Sequence, residues 1–485
     1  MVFSSHIFLF YFLPLALGFY YLMPRRLKHI ALTLLSYTFY GWANPYFVIL
    51  MFASTVIDYF CGLTIANRLG PRWSEPIETL PSGTPRTRAQ KNALIVSICA
   101  NLGLLAFFKY FNFGIDNYNT AVAALGLGDL QWETFFRITL PLGISFYTFQ
   151  SMSYTIDVYK GEAKAVRNFT DFSCYVSMFP QLVAGPIVRF REVADQLLER
   201  RHTLEKFARG VSFISLGMAK KILIANPCGK IADTCFGAGG LAPLDAWYGM
   251  FAYSFQIYFD FSGYSDMAIG LGLMLGFVFP KNFDSPYRSE SITEFWRRWH
   301  LSLSTWLRDY LYVPLGGNRK GTVRTYINLS ATMLLGGLWH GAAWNFIIWA
   351  SIHGGMLAFE RAQGKDSIYR RAPRAFRVAL TYLITCFAWV FFRAPDLGSA
   401  LGYLQQMFGF GPSQDGVHLA SGLIYQPYYL MMMIVAVAVT WGFPQTWDFT
   451  RRLTSAKAMW CVVALLMAVA VLSTQAFNPF IYFIF

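Results

Sequence analysis

Windows of about 17 to 25 mainly apolar residues recur from one end of the chain to the other, each long enough to cross about 30 Å of hydrocarbon as a helix. No other feature constrains the fold so strongly, because a segment in lipid must satisfy its backbone internally, as helix or as closed barrel. Barrel strands would read as alternating segments of roughly ten residues, whereas Met431–Trp441 and Val462–Val471 are continuous apolar runs. The chain is therefore read as an all-α, polytopic integral membrane protein with about eleven transmembrane helices. Its composition agrees: 55% of the 485 residues are hydrophobic and 14% charged. The net charge of +14 does not point to nucleic acid, since the basic residues cluster in short loops between apolar segments, as topology control requires. The seven cysteines lack Cys-x-x-Cys spacing and read as small apolar packers, not as disulfides or metal ligands.

Residues 1–24 carry no basic leader and no small-residue cleavage site, so the run Ile7–Met23 reads as a retained first span. Arg25, Arg26 and Lys28 follow it, which places the N-terminus outside and this loop in the cytoplasm. Spans near 29–43 and 46–66 return the chain inward to a polar loop, 67–92, that carries Arg68, Arg72, Arg86, Arg88 and Lys91. Further membrane-embedded pieces fall near 93–112, 136–156 and 171–187. The last ends in Phe179-Pro180-Gln181-Leu182-Val183-Ala184-Gly185-Pro186, where two prolines and a glycine forbid one regular helix. Broken backbone at membrane depth is tolerated against protein or a cavity, so this piece is expected to line an internal space. Residues 189–209 mix charged and apolar side chains as an amphipathic surface helix would. The segment 247–280 contains Tyr258–Asp266, whose aromatic, hydroxyl and acidic groups, Asp260 among them, suit the wall of a polar chamber. Lys281–Arg324 is too charged to span. Its centre, Glu294–Tyr310, has helical periodicity, with Trp296, Trp299, Leu303, Trp306 and Tyr310 on one face, and is expected to lie re-entrant or flat at the cytoplasmic side. Spans near 376–393, 427–444 and 456–476 complete the count, with 398–410 short.

Between these last groups lies Asn328–Gly355, which places His340 and His353 inside an otherwise apolar run. An ionisable side chain at membrane depth is costly and usually faces a cavity or the bundle interior. Around His340 the residues Gly336, Gly337, Gly341, Ala342 and Ala343 remove side-chain bulk, while Trp339 and Trp344 are placed to wall it. Both flanks are basic, with Arg319, Lys320 and Arg324 before it and Arg361, Lys365, Arg370, Arg371 and Arg374 after it, so the stretch is a hairpin with both ends cytoplasmic. From Thr325 to His340 is about 22 Å of helix, which puts His340 well inside the bilayer near the turn.

At this point the sequence resembles the membrane-bound O-acyltransferase family, and within it the bacterial alginate O-acetylase branch. The resemblance is carried in order by Val2-Phe3-Ser4-Ser5, Pro180–Ile187, Tyr258–Asp266, Phe295-Trp296-Arg297-Arg298-Trp299-His300, Leu338-Trp339-His340-Gly341 and Asn478-Pro479-Phe480-Ile481-Tyr482-Phe483. It implies one domain of this type over 1–485 with a catalytic core at about 136–360, in which tilted helices surround a core thinned by funnels from both faces. It puts the family's invariant histidine at His340 and its second histidine at His300. His353 fits a third position, where helix packing is the favoured role. The loop between His300 and His340 is shorter than in the D-alanyl transferase branch, which puts that branch's carrier-protein docking in doubt here.

Acyl transfer from a thioester to a hydroxyl needs a base for the alcohol proton and a donor for the developing oxyanion. Imidazole suits the first task, and His340 is expected to be that base, with His300 positioning the donor or relaying a proton. Backbone N–H groups or a nearby hydroxyl or indole would serve the oxyanion, a partner the sequence does not name. No Gly-x-Ser-x-Gly and no His-Glu-x-x-His occurs, so direct transfer without a metal is expected. The resemblance implies acetyl-CoA as donor, with Trp339, Trp299, Arg297, Arg298, Arg308, Asp260 and Gln181 as substrate-binding candidates. It also implies an exopolysaccharide acceptor, a periplasmic acetyltransferase partner, a polysaccharide synthase complex and a bacterial inner-membrane location. Three competing readings are D-alanyl transfer from a carrier protein to teichoic acid, a transporter or flippase using the histidines as a proton relay, and a non-catalytic scaffold.

Overall fold

The computed structural model describes all residues except 43, 70–74, 82, 133–136, 365–370, 412–416 and 482–485. Arg72, Lys365 and Arg370 of the basic loops, and Tyr482 and Phe483 of the terminal motif, therefore lie outside the described residues. These residues form helices and no strand. They fall into two compact units, residues 1–202 with 275–279, and residues 203–274 with 280–485.

The first unit begins with a π-helical turn, Ile7–Phe12, that runs into α1 (Leu13–Leu22). There follow α2 (Lys28–Gly41), α3 (Tyr46–Ile65), α4 (Arg88–Ala124), α5 (Ile144–Lys160), α6 (Phe169–Ser177) and α7 (Phe190–Leu198). One buried polar cluster links two of its helices: Asp58 of α3 accepts from Ser97 Oγ at 2.6 Å and Asn101 Nδ2 at 2.8 Å, both on α4. At 37 residues, about 55 Å of helix, α4 runs well beyond the expected 93–112 span. The expected 136–156 piece starts late, at Ile144, because Gly143 takes up a left-handed φ of 76° directly before it. As the prolines require, the chain breaks after α6. Phe179–Leu182 makes a single turn whose Phe179 N–H is taken by Ser36 Oγ at 3.0 Å. The one amphipathic helix expected over 189–209 is instead two, because Glu199 is extended and Thr203 starts a new helix by capping Lys206 N.

The second unit contains the run that sequence reading left unassigned: α8 (Leu204–Ala219), a π-helical segment Lys220–Ala225, and α9 (Asn226–Phe236). All three pack on α10 (Pro243–Met274), a 32-residue helix buried along most of its length. Two adjacent lysines hide this run from hydropathy, yet both are neutralised on α10: Lys220 by Asp266 at 2.6 Å and Lys221 by Asp260 at 2.7 Å. Two short helices, α11 (Ile292–Trp296) and α12 (Leu301–Leu307), precede the hairpin of α13 (Thr322–His340) and α14 (Trp344–Gln363). Helices α15 (Arg374–Arg393), α16 (Leu397–Met407), α17 (Val417–Ile424), α18 (Pro427–Gly442) and α19 (Ser455–Thr474) complete the unit.

Among the described residues α3, α4, α15 and α19 are each long and apolar enough to cross a membrane, and Ile7–Leu22 and α18 are shorter apolar helices. Length and hydropathy thus mark four spans against the eleven read from the sequence. The remaining pieces are short, or, like α10, carry buried acidic groups that lower their hydropathy.

The hairpin is drawn tight at Gly337, where a Cβ would lie 2.7 Å from the Phe346 carbonyl oxygen and 2.6 Å from Ala350 Cβ. Gly337→Ala should therefore wedge α13 from α14 and cost about 1–3 kcal/mol. Gly103→Ala on α4, where a Cβ meets open space, should be neutral or stabilising by up to about 1 kcal/mol. Thermal unfolding of both variants in detergent checks the contrast.

Candidate active site

His340 is the last residue of α13, and the chain leaves it in extended conformation at Gly341. A Cβ at Gly341 would lie 2.0 Å from the Phe346 ring, so glycine is what allows the turn to close under the imidazole. The ring is held edge-on by three aromatics: Trp339 at 5.0 Å, Trp349 at 5.2 Å and Phe392 at 5.2 Å between centroids. Trp344, expected to wall it, is instead 56% exposed at the start of α14. The indole that takes the wall position is Trp349, one and a half turns further on, because α14 turns the Asn345, Trp349 and His353 face inward.

The His340 ring is half-buried, not sealed. It lines a cavity of about 490 Å³ built from α11, α12 and α13, with Trp296, Arg297, Arg308, Met333 and Trp349 in its wall. A wider recess of about 1080 Å³ shares Thr293, Arg297, Leu329 and Leu357 with that cavity, and charged side chains, among them Arg298, Glu290, Glu360 and Arg361, line it. A third space, of about 20 Å³, is lined by His340 together with Phe261, Trp299, Trp389, Phe392 and Ile481. This is room for roughly one water-sized group. Among the described residues His340 is common to the linings of the 490 Å³ and 20 Å³ spaces.

The periodic helix expected over Glu294–Tyr310 is broken at His300, which takes a left-handed φ of 43° between α11 and α12. The break is enforced by the strand-like stretch 282–284 alongside it. Leu301 N donates to the Asn282 carbonyl at 2.9 Å, and Asp284 N to the Arg298 carbonyl at 2.9 Å. The Asn282 side-chain oxygen also accepts from Ser302 Oγ at 2.9 Å and faces His300 Nδ1 at 3.2 Å, while its amide donates to Ser265 Oγ at 2.9 Å. Left-handed backbone at a non-glycine residue costs free energy and persists where surroundings over-determine it. His300 is fully buried against Phe261, at 4.6 Å and nearly perpendicular, and burial lowers its pKa, so the ring is neutral. It is one indole away from His340: Trp339 stands between, 6.2 Å from the His300 ring.

The other sequence candidates separate by surroundings. Trp299 lines the small space beside His340, and Arg297 lies exposed where the two larger spaces meet, its guanidinium without a carboxylate partner among the described residues. Arg298 is paired with Glu294 at 2.7 Å, and Arg308 with Asp309 at 2.7 Å while also lining the 490 Å³ cavity. Asp260 is in the lining of none of these three spaces. It is committed to Lys221 and to the Ile481 N–H at 2.8 Å. Gln181 belongs to the first unit, where its buried amide donates to the Tyr175 carbonyl at 2.7 Å. His353 is fully buried in an aromatic cage, stacked on Phe295 at 5.8 Å and edge-on to Trp296 at 5.4 Å, in keeping with a packing role. Sequence reasoning missed Trp349, Phe392 and Ile481. The i, i+4 spacing of Trp349 and His353 was available as a signal for the first, Ile481 lies in the terminal motif without being marked for the site, and nothing local marks Phe392. No cluster of three His, Cys, Asp or Glu side chains able to hold a metal occurs among the described residues.

Helices long and apolar enough to cross a membrane, together with a half-buried histidine that borders apolar and charged spaces, fit a membrane-embedded enzyme. Residues 162–393 match the MBOAT, membrane-bound O-acyltransferase family. The probable alginate O-acetylase AlgI of Azotobacter vinelandii is 44% identical over the full length of both chains, and that of Pseudomonas aeruginosa 48% identical over 85% of this chain and 76% of its own. The peptidoglycan O-acetyltransferase of Helicobacter pylori is 37% identical over 84% of this chain and 80% of its own. The chain belongs to the membrane-bound O-acyltransferase family, in its alginate O-acetylase branch, and is an O-acyltransferase.

Because Asn282 holds both the break and the imidazole, Asn282→Ala should remove its hydrogen bonds to Ser302 and His300, lowering stability by about 1–3 kcal/mol. Ser304→Ala, whose hydroxyl donates a long hydrogen bond to the Trp299 carbonyl at 3.3 Å, should cost about 1 kcal/mol or less. Paired unfolding curves measure the difference.

Proposed function

We propose that this enzyme moves an acetyl group from cytoplasmic acetyl-CoA to a hydroxyl on the far side of a bacterial inner membrane, with His340 as general base. The acceptor is an exopolysaccharide of the alginate type, or a serine of a periplasmic acetyltransferase partner working with a polysaccharide synthase. The observation that carries the reading is the position of His340, whose ring borders both the roomy cavity and the narrow space. A thioester arriving through the first and a hydroxyl through the second would meet at one imidazole, which takes the alcohol proton as the carbonyl is attacked. The carbon–sulfur bond then breaks, and the thiolate leaves and takes up the proton that the imidazole removed from the alcohol.

Arg297 suits the phosphates of the donor, because it is a cation without a carboxylate partner among the described residues, at the threshold between the charged recess and the inner cavity. Arg298 and Arg308 already have carboxylate partners. His300, buried and hydrogen-bonded to Asn282, is assigned to positioning: with Trp339 it sets the wall against which His340 rests. The whole chain acts as one catalytic domain with its core at about 136–360. It would cross the membrane about eleven times, with the N-terminus outside, as the basic loops argue. Names among its relatives, alginate O-acetylase and peptidoglycan O-acetyltransferase, favour a glycan acceptor and leave peptidoglycan as the second reading.

The test uses purified protein in liposomes with radiolabelled acetyl-CoA and oligosaccharide acceptors. His340→Ala should lower transfer by at least about 100-fold with insertion intact. Arg297→Ala should raise the KM for acetyl-CoA by about tenfold with kcat little changed, and should leave the KM for acetyl-pantetheine, which has no nucleotide phosphates, unmoved. Undiminished transfer by His340→Ala removes the mechanism.

A further inference from the structure

The segment Phe477–Ile481 is fastened to the second unit by groups the acyl-transfer chemistry does not use. Asp260, midway along α10, pairs with Lys221 at 2.7 Å through one oxygen and accepts the Ile481 N–H at 2.8 Å through the other. The Lys221 ammonium also donates to the Pro479 carbonyl. Asn226 Nδ2 reaches the Phe477 carbonyl and Asn478 Oδ1, each at 3.3 Å, and Phe480 stacks on Tyr264 at 4.7 Å. The outcome is an Ile481 side chain that is 1% exposed and forms part of the wall of the narrow space beside His340.

The pair is expensive in its own right. Both side chains are no more than 3% exposed, and a buried ion pair seldom stabilises a fold better than apolar packing of the same volume. What apolar residues could not supply is a carboxylate aimed at one backbone N–H and an ammonium aimed at a carbonyl two residues earlier. The pair therefore specifies where the segment lies.

We propose that Lys221 and Asp260 are positioning residues that latch Ile481 across the narrow space, so that an acyl thioester at His340 is shielded from water until an acceptor hydroxyl enters. This rests on the acetyl-transfer reading above. The side reaction it suppresses is hydrolysis: the oxygen of water bonds to the acetyl carbonyl, the carbon–sulfur bond breaks, and the thiolate leaves and takes up the proton that water gives up. The products are acetate and free thiol.

Two measurements test the latch in full-length protein reconstituted in liposomes. In the first, acetate release from acetyl-CoA without acceptor is compared with transfer. Ile481→Ala and Asp260→Ala should raise the ratio of hydrolysis to transfer about tenfold while the KM for acetyl-CoA moves less than about twofold, and Ile481→Leu should restore the parent ratio. A merely structural role would lower both rates together and leave the ratio alone. In the second, Ile481→Cys is labelled with a membrane-impermeant maleimide and mapped by mass spectrometry. Labelling should be slow in the otherwise parental chain and at least about fivefold faster when Asp260→Ala or Lys221→Met is added. An unchanged ratio in folded Ile481→Ala, or labelling indifferent to Asp260→Ala, overturns the latch. If the parent turns over no acetyl-CoA at all, the acetyl-transfer reading fails and the labelling decides the latch by itself.

Discussion

The second unit is organised around a contact between two backbones. Where Gly337 meets Phe346 and Ala350, α13 and α14 approach closely enough that a methyl group has no place. In lipid there is no hydrophobic gain from bringing helices together, so association depends on close packing of small residues and on hydrogen bonds. That contact closes the hairpin, and Gly341 lets the turn pass beneath the Phe346 ring. His340 is thereby set at the tip as a consequence of the fold. Its ring lies among Trp339, Trp349 and Phe392, whose flat faces leave it few orientations.

The hairpin in turn orders its neighbours from both ends of α14. At the start, Asn345 donates to the carbonyls of Phe391 and Ala394, at 3.0 and 2.6 Å, holding the end of α15 and so placing Phe392 on the imidazole. Near the finish, Glu360 accepts from the backbone of Ile292 and Thr293 at 2.6 and 2.8 Å, capping α11 with a carboxylate where the unsatisfied N–H groups lie. One helix therefore fixes the aromatic wall on one side and the arginine-bearing turn on the other. The strained backbone at His300 follows from the same arrangement. With α11 capped from α14 and the following turn paired to residues 282–284, the link between α11 and α12 is left with a conformation that a free peptide would avoid.

The hairpin itself could be read from sequence because it depends on local quantities: basic flanks and glycine spacing. The all-helical class and the break within Phe179–Pro186 were legible for the same reason. What escaped was set by residues far away in the chain. Periodicity over Glu294–Tyr310 could not register that Asn282 would pull the backbone out of helix at His300. Hydropathy stopped at Lys220 and Lys221 because it charges each ammonium the full cost of burial, whereas the aspartates that offset that cost stand on α10. Asp260 looked like a chamber-lining acid for the complementary reason: its cation was out of sight. Ile481 and Phe392 carry no chemistry, and only the fold brings them to the ring.

The two lysine–aspartate pairs are worth comparing, because one π-helical segment and one helix supply both. Lys220 and Asp266 retain about one-seventh of their side-chain exposure, and Asp266 shares its oxygen with Thr446 at 2.6 Å, so water and a hydroxyl soften the cost of the charge. Lys221 and Asp260 have neither relief: they are enclosed to within 3%, and their remaining hydrogen-bonding capacity goes to peptide groups of the chain's final turn. If neutralising a lysine were all that mattered, the partly wet pair shows how cheaply it is done. The dry pair sits beside the wall of the space next to His340, where a water molecule would compete directly with an acceptor hydroxyl. The two desolvated charges there fix the backbone that carries Ile481, one of the residues that wall the narrow space, which is the placement the proposed latch requires.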